Sequence, residues 1–136
     1  MKGSYILLIE VKKDIKIFVG KLGKLHFKKG FYVYVGSAIN YLESRINRHL
    51  RSDKKIHWHI DYLLKYADII DVFFKENSIK EECRLSYEFE KRLHFLKGFG
   101  CSDCKCNSHL FYGNYKDIMS VVNKLKMKKY TFNEKT

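Results

Sequence analysis

The stretch from Phe31 to Leu50 constrains the fold more than any other part of the chain. It reads FYVYVGSAINYLESRINRHL, an aromatic and β-branched run followed by a basic segment. The run is typical of a β-strand, and the recurrence of Leu42, Ile46 and Leu50 every four residues is typical of an amphipathic helix. Gly36 between the two predicts a tight turn. The sequence therefore predicts a strand, a turn and a helix that bring tyrosines close to an arginine and a histidine.

The remaining patterns predict one domain of the α+β class. Strands are predicted over residues 5–11, 15–19, 24–27, 31–35, 68–75 and 109–112, and helices over residues 42–50, 56–66, 78–95 and 115–127, with Asn40 as a candidate cap of the first helix. Because the early strands are joined by short polar turns, they favour a small antiparallel sheet flanked by helices. We expect a single domain over residues 1–128 and a frayed C-terminal tail over residues 129–136.

The net charge of the chain indicates which classes of partner it can bind. There are 27 Lys and Arg residues against 15 Asp and Glu residues, a net charge of +12 over 136 residues. This excess favours a polyanion such as nucleic acid, although an anionic membrane surface would also attract it and a solvated lysine face would also explain it. The longest apolar run, Ile6 to Ile9, is far too short to span a bilayer, and the N-terminus lacks the apolar region of a signal peptide. We expect a cytoplasmic protein that does not bind membranes.

The predicted strand and helix can place a phenol, a guanidinium and an imidazole side by side. On a helix with about 100° per residue, Arg45 and His49 lie about 40° apart and border the apolar stripe, whereas Arg48 and Arg51 point outward. In the preceding strand Tyr32 and Tyr34 share one face, because side chains alternate. The same pattern also fits tyrosines that only pack in a core, with Arg45 at its border.

The helix predicted to open at Ser78 supplies a carboxylate. Ser78 and Glu81 have the spacing of a capping box, so Glu81 has a local role at the helix start. Glu82 instead shares the face of the apolar residues Leu85, Phe89 and Leu93. An ionised carboxylate on such a stripe has to be paired, protonated or bound to a cation, unless it reaches solvent in the first helical turn. Glu82 is therefore a candidate functional residue.

Several short motifs follow one another in a specific order. They are Gly3-Ser4-Tyr5, then Tyr34-Val35-Gly36, then Arg45 and His49, then Glu82, followed by two longer segments, HWHIDY at 57–62 and GFGCSDCKCNSHL at 98–110. The order resembles the GIY-YIG nuclease superfamily, and the two longer segments resemble its Uri-type branch of small endonuclease-like proteins. Two departures are a serine at Ser4, where isoleucine is usual, and one extra residue between Gly36 and Leu42.

The resemblance implies a small antiparallel sheet flanked by helices, with a catalytic site on one surface of the sheet. It implies catalytic roles for Tyr5, Tyr34, Arg45 and His49, and a role for Glu82 as ligand of one Mg²⁺ or Mn²⁺ ion. Phosphodiester hydrolysis needs an activated water, charge stabilisation at phosphorus and help for the leaving oxygen, which these residue types can supply. Which tyrosine accepts the proton stays open.

The function expected from these residues is metal-dependent endonuclease cleavage of DNA or another structured nucleic acid, with DNA favoured over RNA. The basic residues around the helix end are candidates for backbone contacts, namely Arg48, Arg51, Lys54 and Lys55. The alternative is a module on the same scaffold that binds nucleic acid without cleaving it.

The cysteines leave a third possibility open. Cys101, Cys104, Cys106 and His109 offer thiolates and an imidazole within nine residues, which suits Zn²⁺. The spacing is tighter than in ordinary zinc modules, so a tightly turned loop with packed thiols is the competing interpretation. His57 and Asp61 share a helical face and could also bind a metal, but a capped helix start that packs Trp58 explains them as well.

Overall fold

In a computed structural model, which describes residues 2–38, 42–76, 81–101 and 106–131, the chain forms eight strands, four α-helices and one 3-10 helix (Gly20–Leu22) within those ranges. The strands are β1 (Gly3–Val11), β2 (Ile15–Phe18), β3 (Lys24–Phe27), β4 (Gly30–Ala38), β5 (Asp68–Glu76), β6 (His94–Phe95), β7 (Leu110–Gly113) and β8 (Lys128–Lys129). The helices are α1 (Leu42–Leu50), α2 (His59–Leu63), α3 (Glu82–Glu90) and α4 (Tyr115–Lys124). Asn40 and Ser78 lie outside the described residues.

Six strands form one antiparallel sheet in the order β6-β7-β4-β1-β5-β8, and β2 and β3 form a separate hairpin. The central strand β1 pairs with β4 on one side and β5 on the other. Its run Ile6 to Ile9 is fully buried, because both faces of the sheet are covered. This is the GIY-YIG-like α+β architecture that the sequence predicts.

The two faces of β1 belong to different cores. Tyr5, Leu7 and Ile9 join the core that also contains apolar residues of α1, α2 and the β2–β3 hairpin. Ile6 and Leu8 join the core that α3 and α4 cover. The alternation of side chains along one strand therefore divides the molecule into two layers, and the site tyrosines lie in the first of them.

The predicted turn at Gly36 is wrong, because β4 continues through it to Ala38. Gly36 pairs with Tyr5 in the register of β1 and β4. A Cβ atom at position 36 would collide with the Tyr5 ring, so the glycine gives the phenol room to lie across the neighbouring strand. Gly36, which predicted a chain reversal, instead makes room for Tyr5 of the candidate site.

Three predicted helices are too long. The helix α2 covers His59–Leu63 rather than residues 56–66, because the Asp61 carboxylate binds the backbone N–H groups of His57 and Trp58 and caps the helix start there. The helix α3 ends at Glu90, since His94–Phe95 pairs with β7. The helix α4 ends at Lys124, and Lys128–Lys129 then pairs with β5. Among the described residues, no helix is long and apolar enough to cross a membrane.

Candidate functional site

The centre of the candidate site is a contact between Tyr5 and His49. Tyr5 projects from β1 towards α1, and its hydroxyl oxygen lies 2.6 Å from His49 Nε2. Only 1% of Tyr5 and 2% of His49 is exposed, so the hydrogen bond forms in a largely dry environment. The position of β1 beside the last turn of α1 therefore places the phenol and the imidazole in proton-transfer geometry.

Tyr34 lies on the same face of the sheet, in β4. Tyr5 is opposite Gly36 and Leu7 is opposite Tyr34, which makes the two tyrosines diagonal neighbours. The Tyr34 ring meets the His49 ring edge-on at 6.1 Å between centroids. Tyr32, which shares that face, donates its hydroxyl to Lys28 O and belongs to the core rather than to the site.

Both site tyrosines are held in the protonated form. Burial raises the pKa of Tyr5 well above its ordinary value, and the charge on Glu82 adds to this, whereas Arg45 acts against it. Burial, followed by the charge on Glu82, also raises the pKa of Tyr34. Arg45 acts to lower the pKa of both phenols, but burial outweighs its effect. At neutral pH neither tyrosine is a ready-made phenolate.

Burial also decides the charge of His49. Desolvation, helped by the nearby cations Lys54, Arg48 and Arg45 and opposed by the charge on Asp61, lowers the pKa of its imidazole to about 3. His49 is therefore neutral at physiological pH. Its Nδ1 has no hydrogen-bond partner among the described residues. In the tautomer with the proton on Nδ1, Nε2 accepts the hydrogen bond from the Tyr5 hydroxyl.

Arg45 is half-buried beside Tyr5. Its guanidinium donates a hydrogen bond of 3.1 Å to Ser37 O in β4 and lies 4.6 Å from the centre of the Trp58 ring. The strand and the indole hold it from two sides, which fixes a cation next to the two phenols.

Glu82 is the first residue of α3 and is half-buried. The apolar residues that predicted its orientation, Leu85 and Phe89, pack in the second core and not against the tyrosines. Glu82 nevertheless raises the pKa of both Tyr5 and Tyr34 through its negative charge. The structure thus brings Tyr5, Tyr34, Arg45, His49 and Glu82 into one electrostatic neighbourhood.

The oxygen donors of this neighbourhood suit a hard divalent cation. Mg²⁺ commonly binds proteins through one or two carboxylates and completes its shell with water and substrate phosphate. Glu82 supplies such a carboxylate. Glu82 therefore fits the role of protein ligand to one Mg²⁺ or Mn²⁺ ion.

Arg48 does not point outward as predicted. Its guanidinium binds both oxygens of the Asp61 carboxylate at 3.1 Å and donates to Lys55 O. It also lies 4.4 Å from the centre of the Trp58 ring. Burial acts to raise the pKa of Asp61, but the hydrogen bonds from Arg48 and from the backbone of Trp58 and His57 hold that pKa below its ordinary value. Arg48 is committed to an internal ion pair.

The other predicted phosphate ligands differ in their surroundings. Lys54 donates a hydrogen bond of 2.9 Å to His49 O and another to Arg51 O at the end of α1. Burial lowers the pKa of Lys54, and the positive charges of Arg48 and Arg51 act in the same direction. The side chains of Arg51 and Lys55 are exposed. These two cations are the members of the predicted set that face solvent.

The cysteine loop is connected differently from the predicted zinc site. Cys106 forms a disulfide with Cys83, the second residue of α3, across 23 residues of sequence. Cys104 lies outside the described residues, so the set Cys101, Cys104, Cys106 and His109 stays a prediction. His109 is buried, and its Nδ1 lies 2.7 Å from Ser86 Oγ.

Sequence reasoning missed several residues that organise the site. Trp58, which lies beneath both Arg45 and Arg48, was assigned only to packing at a helix start. Cys83 was not connected to Cys106, because no local spacing relates two residues so far apart in the chain. The available signal was the position of Cys83 directly after Glu82, at the start of a helix.

The sequence of this chain matches one known family over most of its length. No curated protein and no solved structure matches the chain significantly. The family described as "Domain of unknown function DUF123" matches residues 4–131. Because this match covers far more than half of the chain, the protein belongs to the DUF123 family.

Proposed function

We propose that the protein is a metal-dependent endonuclease that hydrolyses phosphodiester bonds in DNA or another structured nucleic acid. The observation that carries the proposal is the 2.6 Å contact of Tyr5 with a neutral, buried His49, with Arg45 and Glu82 acting on the same phenol. The resemblance to the Uri-type branch of the GIY-YIG superfamily supports it, since five residues of that pattern lie together.

Tyr5 and His49 are suited to relay a proton. A protonated phenol accepts a proton from water only if it gives up its own proton at the same time. His49 Nε2 is the acceptor for that proton, because the neutral imidazole lies within hydrogen-bond distance. Tyr5 is therefore the proton-accepting tyrosine in this proposal, and Tyr34 orients the water or the phosphate.

Arg45 supplies positive charge where negative charge accumulates on phosphorus in the transition state. A guanidinium held by Ser37 O and Trp58 costs little reorganisation when the charge develops. A Mg²⁺ or Mn²⁺ ion on Glu82 would supply Lewis-acid stabilisation of the phosphate and the leaving oxygen.

The net charge of +12 favours a polyanionic substrate, and DNA is the form we test first. Arg51 and Lys55 are exposed just beyond α1, the helix that carries Arg45 and His49. Cations in this position would contact phosphates that flank the scissile bond. Their contribution would be independent of base sequence, because phosphate contacts position the nucleic acid without reading it.

A second candidate is a module that binds nucleic acid without cleaving it. The burial of Tyr5 and His49 favours it, because water has to reach the phenol for hydrolysis to occur. The two candidates predict the same affinity for nucleic acid and differ only in product formation.

The test is a cleavage assay of the purified chain on supercoiled, linear, branched and single-stranded DNA and on RNA. Each substrate is incubated with Mg²⁺, with Mn²⁺ and with a chelator, and binding is measured in parallel. We expect cleavage of at least one DNA form that the chelator abolishes. Salt-sensitive binding without cleavage of any substrate would support the binding module instead.

A further inference from the structure

A cluster of two sulfur atoms and one imidazole lies outside the proposed catalytic centre. Cys83 belongs to the first turn of α3, Cys106 to the segment before β7, and His109 directly precedes β7. The two Sγ atoms and one ring nitrogen of His109 all lie within 4.8 Å of one another. The two sulfur atoms are joined as a disulfide. Residues far apart in sequence therefore converge on one point.

The imidazole of this cluster is held in place by its surroundings. His109 is 2% exposed, and the buried Ser86 on α3 bonds its Nδ1 at 2.7 Å. The backbone of His109 is tied to two neighbours, because its N–H donates to Phe99 O at 2.8 Å and its C=O accepts from Val35 N at 2.9 Å. An imidazole whose one nitrogen is bound by a polar neighbour is the usual arrangement of a metal-ligating histidine.

We propose that, once the disulfide is reduced, the thiolates of Cys83 and Cys106 and one imidazole nitrogen of His109 bind a soft divalent metal ion, with Zn²⁺ as the preferred ion. Two thiolates and an imidazole are ligands that Zn²⁺ favours. Two thiolates bound tetrahedrally to Zn²⁺ lie about 3.8 Å apart. Reduction breaks the bond between the two Sγ atoms, which can then move apart to this distance beside His109.

The change from disulfide to metal site balances chemically. Two thiol molecules of a reductant are oxidised to their own disulfide, and Cys83 and Cys106 each gain a hydrogen on sulfur. Metal binding then releases the two thiol protons to solvent, so binding strengthens as the pH rises through the thiol pKa range. The bound ion replaces one covalent link between α3 and the segment before β7 with another link at the same place.

The position of the cluster gives it a structural consequence. Cys83 directly follows Glu82, so either link anchors the first turn of α3 to the segment that leads into β7. The metal site does not depend on the proposed nuclease activity, because it uses none of the residues Tyr5, Arg45, His49 or Glu82.

The test is metal binding by the full chain, reduced with a phosphine under argon. The disulfide oxidises the phosphine to its oxide, and water supplies the oxygen of that oxide and the two hydrogens that the sulfur atoms gain. We expect the reduced protein to retain one equivalent of Zn²⁺ after gel filtration and the oxidised protein to retain none. With Co²⁺ we expect a thiolate-to-metal charge-transfer band in the near ultraviolet. A reduced protein that takes up no metal would overturn the proposal and leave a purely structural disulfide.

Variants identify the ligands. Cys83→Ser is expected to weaken Zn²⁺ binding at least tenfold, and Ser86→Ala to weaken it about 10- to 100-fold through the loss of the His109 partner. Cys101→Ser serves as the matched control and should bind Zn²⁺ within about threefold of the wild type. Unchanged affinity in Cys83→Ser would refute the assignment, since the metal would then bind elsewhere in the cysteine loop.

A measurement on the unaltered chain guards against misfolded variants. Zn²⁺ should protect Cys83 and Cys106 from alkylation by iodoacetamide, as quantified by mass spectrometry of peptides, and should leave Cys101 less protected. Equal alkylation of Cys83 with and without Zn²⁺ would also overturn the proposal.

Discussion

At the scale of single residues, burial controls the chemistry of the candidate site. Tyr5 and His49 have opposite acid–base character in water, yet desolvation keeps both neutral at pH 7. The neutral pair is connected by a short hydrogen bond and is flanked by one cation, Arg45, and one anion, Glu82. A site of this kind does not rely on a preformed phenolate. In the proposed mechanism it relies on the transfer of a proton between two neutral groups, Tyr5 and His49. The charged neighbours Arg45 and Glu82 stabilise the ions that this transfer forms.

Replacing Tyr5 with phenylalanine tests which tyrosine accepts the proton. Tyr5→Phe removes the hydroxyl that bonds His49, and we expect cleavage to fall about 10²- to 10⁴-fold, the range typical of general acid–base catalysis. Tyr34→Phe should cost less, because His49 Nε2 bonds the hydroxyl of Tyr5 and not that of Tyr34. Single-turnover rates of the two variants decide the point. A larger loss in Tyr34→Phe would assign the relay to the other phenol.

The lowered pKa of His49 predicts a dependence of stability on acid. The folded pKa of about 3 lies below the ordinary value of 6.5, so the unfolded chain takes up a proton before the folded chain does. The stabilisation is complete above pH 6.5 and is lost as the pH falls towards 3, at about 1.4 kcal/mol per pH unit.

His49→Gln should flatten this dependence, as measured by urea unfolding between pH 7 and pH 4. The control is the variant His94→Gln, which removes an exposed histidine. Identical pH profiles for wild type and His49→Gln would show that His49 does not stay neutral in the folded protein.

At the scale of elements, α1 is anchored to α2 through charged and aromatic contacts. Arg48 on α1 binds Asp61 on α2, and the Trp58 ring that precedes α2 lies under the guanidinium groups of both Arg48 and Arg45. The Asp61 side chain has no exposed surface, and 21% of the Arg48 side chain is exposed. Arg45, the proposed catalytic arginine, is thus positioned by an ion pair on the next helical turn.

Arg48→Leu should therefore be strongly destabilising. The substitution leaves the Asp61 carboxylate buried without its cation, and breaking such a pair costs about 3–5 kcal/mol of unfolding free energy. Arg51→Leu, one turn further on at an exposed position, should change stability by less than about 0.5 kcal/mol. Urea unfolding at pH 7 measures both. A loss below about 1 kcal/mol in Arg48→Leu would mean that the ion pair does not support the helix.

The sequence predicted the order of elements well and their junctions poorly. The hydrophobic periods of β1, β5 and α1 identified these elements nearly to the residue, because each has a strongly patterned buried face. Gly36 was misassigned to a turn because a glycine inside a strand leaves the same local signal as one in a reversal. Glycine is needed at position 36 because the Tyr5 ring lies against the backbone there. This contact joins residues 31 positions apart, and no local sequence pattern encodes it.

At the scale of the whole molecule, the sheet separates two layers with different tasks. The layer of α1, α2 and the β2–β3 hairpin holds Tyr5, Tyr34, Arg45 and His49, and the layer of α3 and α4 holds Glu82 at its edge. The motif order in the sequence predicted the residues of the candidate site, and their membership of a functional site stays a prediction. The motif order could not predict which core each residue joins, because that depends on strand order and on the direction in which α3 enters.

The exposed cations next to the site predict a salt-dependent affinity for nucleic acid. Arg51→Gln and Lys55→Gln should each reduce the slope of log affinity against log salt by about 1, equally for unrelated DNA sequences. Lys13→Gln is the matched control, because Lys13 follows the end of β1 that is far from Tyr5. Fluorescence anisotropy at several salt concentrations gives the slopes. If Arg51→Gln and Lys55→Gln had the same slope as Lys13→Gln and the wild type, the nucleic acid would bind to another surface.

In the proposed function, Glu82, Arg45, Tyr5 and His49 form one hydrolytic centre, and the variant Glu82→Gln removes its only carboxylate. The variant keeps the size of the side chain and removes the charge that would bind the metal ion. Its control, Glu43→Gln, makes the same change of net charge at an exposed position of α1.

The measurement is the single-turnover rate of Mg²⁺- or Mn²⁺-dependent DNA nicking, with the affinity for the same DNA measured beside it. We predict that Glu82→Gln loses nicking and retains affinity within about threefold, whereas Glu43→Gln retains both. Nicking by Glu82→Gln at the wild-type rate would contradict the proposed centre.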